Sequence, residues 1–157
     1  EKELSATWGK AFSQTISFKY ENGALTELIS AGILKEIKND SIRNILASWE
    51  GKIQKVLVQE NEVNSYIQKG NDYLEKHGNI RVIIDIGNGN DWWGIEKLLT
   101  PQSNKFLLDA QEFENILVFA IGTGQALYDA RYEKIEAEIK MLDSNYYYPN
   151  FIHSSNL

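Results

Sequence analysis

Apolar residues recur at helical spacing in three stretches of the chain and give way to a β-branched run in one. After Asn22, the run Gly23-Ala-Leu25-Thr-Glu-Leu28-Ile29-Ser-Ala sets Leu25, Leu28 and Ile29 on one face, which predicts a short helix over about 23–31. Asn22 is a residue type that caps helix starts, and Gly32 a type that stops helices. The apolar link Ile33–Ile37 then leads to Asn39-Asp40-Ser41, whose side chains can accept hydrogen bonds from the free amides of a first helical turn. From there Ile42, Leu46, Trp49, Ile53, Val56, Val63, Ile67 and Leu74 alternate steps of four and three, once Glu60 and Gly70 are counted in the same seam. The pattern predicts a long helix over about 40–76 that stops at Gly78, with Trp49 and Glu60 in its packed stripe.

A second long helix is expected over about 109–143. Asp109-Ala-Gln-Glu112 has capping-box spacing, and Phe113, Leu117, Ala120, Leu127 and Ile135 form the stripe. Gly122 and Gly124 lie inside it, each costing ~1 kcal/mol relative to Ala, so a close helix approach is expected there. Arg131 also falls in this stripe. Antiparallel pairing of the two long helices would bring Arg131 and Glu60 within about one turn, where a buried ion pair would fix register more than it adds stability. Each charge bending outward to water is the alternative.

Two segments break the helical rhythm. Residues 1–21 carry Trp8, Phe12, Ile16, Phe18 and Tyr20 without sustained spacing, which reads as a short helix or irregular lead-in packing its aromatics on the core. Ile80-Arg-Val-Ile-Ile-Asp-Ile86 is β-branched, so a small β element near 80–86 is expected, as a hairpin or paired with residues 1–20. The fold class that results is mainly α: one helical bundle domain built on two long antiparallel helices. Pro149 ends the last helix, and the tail to Leu157 would lie along the bundle.

Composition narrows the functional classes. The chain has 157 residues, enough for a sizeable core without staples, and no cysteine, which removes disulfides, thiolate metal sites and cysteine nucleophiles. Its 16 Lys and Arg are scattered among 22 acids for a net charge of −6, so a phosphate backbone meets no basic stripe and nucleic acid is not an expected partner. The apolar stretches are far shorter than the ~20 residues that cross a bilayer.

The stretch Gly23-Ala-Leu-Thr-Glu-Leu-Ile-Ser-Ala-Gly32, followed by Asn39-Asp-Ser-Ile-Arg43 and Ser48-Trp49, resembles a family of small bacterial single-span membrane proteins of unknown function. The likeness is closest over 22–50, with a second similarity at Glu112-Phe-Glu-Asn115. It implies a helical domain outside the cytoplasm, held at the cell membrane by an upstream span and acting through a protein partner or self-association. The family's membrane span and the coiled helix after it have no counterpart in this chain, which the resemblance explains by trimming. No activity or catalytic residues carry over, and segment 77–104 has no counterpart in the family pattern.

Among local patterns, Asp85-Ile-Gly-Asn88-Gly-Asn90-Asp91 offers carboxylate and amide oxygens for calcium, with Glu96 in twelfth place counted from Asp85 as an EF-hand loop requires. Gly87 in third place departs from that loop, and an ordinary Asn/Gly turn is the competing reading. Trp92 and Trp93, with Tyr146, Tyr147 and Tyr148, could form a stacking platform for a glycan or an apolar partner surface, or simply pack in the core. The two histidines, His77 and His153, have no ligand-like spacing, and no serine has an identifiable base. The expectation is an interaction or sensing domain without catalysis and without a cofactor, calcium aside. A small-ligand module using the 80–104 loop is the alternative.

Overall fold

A computed structural model describes residues 2–88 and 103–147. The chain is mainly helical, and no strand occurs among the described residues. Six α-helices follow in order among the described residues: α1 (Lys2–Phe12), α2 (Gly23–Ser30), α3 (Asp40–His77), α4 (Ile80–Asn88), α5 (Gln111–Leu127) and α6 (Glu133–Tyr147). Short 3-10 turns at Ile33–Glu36 and Asn104–Asp109 precede α3 and α5, and a π turn at Tyr128–Tyr132 joins α5 to α6. The contacts sort into two compact units, residues 1–17 with 60–124 and residues 18–59 with 125–157.

The first unit is built around Phe113, which is 1% exposed. Trp8 meets its ring edge-on at 5.0 Å, Phe12 lies tilted at 6.2 Å, and Tyr73 stacks at 5.3 Å. Leu74, Ile83 and Leu107 complete this cluster. Phe12 reaches it because residue 70 is glycine: a Cβ there would stand 2.1 Å from Phe12 Cε1. The chain after α1 is held along α3 by two side-chain amides. Asn71 Nδ2 donates to the Phe12 carbonyl at 2.9 Å. Asn64 accepts from the Ile16 amide at 2.9 Å and donates to the Ile16 carbonyl at 2.7 Å, copying the pairing a neighbouring backbone would supply.

The β element expected near 80–86 is a helix, α4. Asn79 caps it, its Oδ1 accepting from the Val82 amide at 3.2 Å, and Arg81 reaches Asp85 one turn on at 2.7 Å. Residues 2–12 do pack against this segment, but as α1 against α4 rather than as paired strands. Two helices satisfy their own backbone groups, whereas a lone strand would not. The corner between α3 and α4 is fastened by Asn104, fully buried, which accepts from the Asn79 amide at 2.6 Å and donates to the Asn79 carbonyl at 3.2 Å.

The second unit contains α2, the first half of α3, the π turn and α6. Among its described residues, Ile45, Ile53, Val56, Leu127 and Ile135 are the buried apolar ones. Asn39 Oδ1 caps α3 by accepting from the amides of Ser41 at 3.0 Å and Ile42 at 3.2 Å. Asn22 stands at the start of α2 without a side-chain cap bond, and Gly32 ends that helical stretch at φ 73°. Lys52 Nζ holds both oxygens of Glu138 at 2.7 Å, tying α3 to α6.

The last helical stretch departs from its expected start and continuity. It begins at Gln111, because the 3-10 turn to Asp109 leaves Ala110 extended, with ψ 106°. Phe113, Ala120 and Leu127 are seven apart, but Ile135 is eight beyond Leu127. Two α-turns span ~7.2 residues, so the π turn takes up the extra one and keeps both Leu127 and Ile135 buried.

Candidate functional site

The first unit carries an open groove of about 450 Å³ between α3 and α5. On the α3 side it is lined by Tyr66, Lys69, Asp72, Tyr73, Lys76 and His77, residues that recur at steps of three and four and so share one helix face. On the α5 side Glu112, Asn115, Ile116 and Phe119 do the same. Tyr66 and Phe119 stack across the groove at 5.3 Å with planes 7° apart, and Lys69 Nζ lies 4.3 Å from the centre of the Tyr66 ring. At the other end Tyr73 lies between Phe113 and His77, whose ring is 4.5 Å away. The floor is therefore continuous with the aromatic core.

Outside the groove α5 remains apolar. Val118 and Ile121 are 60% and 71% exposed there, beside the groove's own Phe119 at 56%, and no charged residue occurs between Glu114 and Asp129. A Cβ at Gly122 or Gly124 would meet nothing within 4 Å, so no described neighbour accounts for these glycines by close approach. A helix with both apolar flanks cannot bury them all against one neighbour, which leaves this surface open. A second cleft, about 490 Å³, runs beside α1 and is lined in part by the core side chains Trp8, Phe12, Leu74 and Ile83.

The residues singled out from sequence fall unevenly. Asp85, expected in the small β element and as the first ligand of a calcium loop, lies in α4, 4% exposed, with Oδ1 on Arg81. Asn88 ends α4 and Tyr147 ends α6. Asn90, Asp91, Trp92, Trp93, Glu96 and Tyr148 lie outside the described residues, and with them most of the proposed calcium loop and stacking platform. Among the described residues no group of three acidic or histidine side chains is placed to hold a metal. Glu60 is 2% exposed, as its place in the α3 seam requires, and Trp49 is half-buried. Arg131 is half-buried in the π turn, where Nη1 reaches the Ala130 carbonyl at 3.4 Å and Nε has no partner among the described residues.

The groove has a signal in the sequence: Tyr66, Lys69, Tyr73 and Lys76 repeat beside the buried stripe at steps of three and four. In the second unit, the Tyr20 hydroxyl is enclosed without a hydrogen-bond partner among the described residues, and burial, then the Glu50 charge, hold its pKa above the ordinary value of 10.0. No described helix is long and apolar enough to cross a membrane. Comparison with protein-family models, with curated proteins and with solved structures gives no match to this chain.

Proposed function

We propose that the chain is an extracytoplasmic interaction domain of a membrane-anchored bacterial protein, without chemistry of its own, and that the α3–α5 groove with the adjoining α5 face receives a protein partner. The observation that carries this reading is the exposed apolar surface of Val118, Phe119 and Ile121 beside an aromatic-floored groove. Single exposed apolar side chains are ordinary, but adjoining large ones mark interaction surfaces. The tether and its extracytoplasmic side rest on the resemblance over residues 22–50. Within the first unit Tyr73 meets Phe113 and Tyr66 meets Phe119, an order that supports two long helices running antiparallel.

The test is site-specific photocrosslinking in cells that make the full-length protein. A photoreactive residue at position 119 or 121 should give a discrete protein adduct, and one at the exposed polar Lys134 should not. Absence of any adduct from 118, 119 and 121 would overturn the interaction reading. Recovery of the full-length protein in the soluble fraction would overturn the tether.

A further inference from the structure

We propose that the pocket between α2 and the first half of α3 binds a small primary ammonium compound, its nitrogen held by the Tyr20 hydroxyl and the Glu50 carboxylate and its alkyl chain resting on α2. The site lies wholly in the second unit and is independent of the α3–α5 groove. It follows from how α2 is made. Leu25, Leu28 and Ile29 share one face of this eight-residue helix, yet no residue of α2 is buried and Ile29 is 46% exposed. Leu25 and Ile29 instead line a pocket of about 270 Å³, with Tyr20 from the chain before the helix and Glu50 from α3. Pockets for drug-sized ligands begin near ~300 Å³, so the occupant is small.

Two polar groups meet this space with capacity to spare. Phe18 stacks on the Tyr20 ring at 6.5 Å with planes 21° apart, which orients the ring. The Tyr20 hydroxyl is enclosed but has no hydrogen-bond partner among the described residues, a costly state for a group that can both donate and accept. Glu50 is the one charged residue in the lining. Its Oε1 accepts from Gln54 Nε2 at 3.0 Å, and no described residue donates to its other oxygen. The Glu50 charge raises the Tyr20 pKa, so the carboxylate is a near neighbour of the hydroxyl without being bonded to it. Asn22, also in the lining, makes no side-chain cap bond to α2, which leaves its amide oxygen as a further acceptor.

A carboxylate, a hydroxyl oxygen and an amide oxygen with no cation among them select a positively charged donor. An anion would meet the Glu50 charge, and a neutral alcohol would leave that charge unanswered. A primary ammonium brings three N–H donors, enough for the carboxylate and the hydroxyl together, and its bond to the carboxylate is of the strong, charge-assisted kind. A metal ion would call for about six oxygens and make no use of Leu25 and Ile29, whereas a short alkyl chain covers both.

The probe is n-butylammonium chloride, titrated into the full chain beside its neutral isostere 1-butanol and the anion butyrate. NMR reads the Ile29 methyl groups and the Tyr20 ring. Saturable shifts at both are expected with n-butylammonium, at an affinity about tenfold above that of the alcohol or the carboxylate. Glu50→Gln, at an exposed position where circular dichroism should find the fold unchanged, should lower the n-butylammonium affinity about tenfold with Ile29 as the readout. Tyr20→Phe should weaken it as well. Equal affinities for the three compounds, no saturable shift, or an affinity that Glu50→Gln leaves intact would each overturn the proposal.

Discussion

Replacing Gly70 by Ala sets two opposed effects against each other at one site. Ala is favoured over Gly in a helix interior by about 1 kcal/mol, so in an open position the change stabilises. At residue 70 the new methyl would stand 2.1, 2.6 and 2.7 Å from three ring carbons of Phe12. Carbon contacts are favourable near 3.5–4.0 Å, so the ring must withdraw by roughly 1.5 Å. It has little room, since Phe12 is 6% exposed, leans on Phe113 and belongs to a helix end whose carbonyl is held by Asn71. Overpacking of this kind costs about 1–3 kcal/mol, and eviction of the ring loses about 3 kcal/mol of burial. Net destabilisation of up to about 2 kcal/mol is expected, measured by urea unfolding followed at 222 nm. The decisive comparison is a double-mutant cycle with Phe12→Ala, itself costing about 3–5 kcal/mol. With the ring gone, Gly70→Ala should change sign and stabilise by about 1 kcal/mol. If Gly70→Ala stabilises the parent, or destabilises both backgrounds equally, the reasoning fails.

Gly122→Ala and Gly124→Ala meet open space, so each should raise stability by up to about 1 kcal/mol in the same urea assay, and a loss at either would reveal a neighbour that the described residues do not contain. Asn104→Ala leaves both backbone groups of Asn79 without their partner at a fully buried corner; thermal melts should show a loss of about 2–4 kcal/mol, with Asn104→Asp retaining only the bond from the Asn79 amide. Tyr20 has its pKa raised by burial and then by Glu50, so the folded state holds its proton more tightly than the unfolded chain does. Its contribution is complete below pH 10 and declines as pH rises from 10 through the folded-state value; Tyr20→Phe should flatten the alkaline limb of a stability–pH curve, and an unchanged slope would count against it.

The helices were legible where periodicity was long and strict. The α3 seam from Ile53 through Leu74 is buried or half-buried throughout, Glu60 and Gly70 included, because a packed helix face admits no other period. The same regularity explains why Asn39, Gly32 and the 23–31 helix are found where local rules place them. The segment 80–86 was misleading because a run of β-branched residues satisfies a strand and a short buried helix equally well. What decided for α4 was the presence of α1 to pack against and Asn79 and Asn104 to close its corner. The eight-residue step from Leu127 to Ile135 was visible in the sequence, but its resolution as a π turn depends on both residues being buried together.

The candidate site divides along the same line. Sequence alone determined that the chain is mainly helical, acidic and free of cysteine, and it placed Phe113, Val63, Leu74 and Leu127 on faces that must be covered, since helical period and apolar content are local properties. It could not determine which flank stays open, because exposure depends on how many neighbours a helix acquires. Only the tertiary structure decided that Phe12 occupies the notch at Gly70, that Asn64 and Asn71 hold the chain after α1, and that Lys69, Lys76 and Phe119 edge a groove. Each of these joins residues many positions apart, and such contacts are set by packing geometry rather than by the order of residues along the chain.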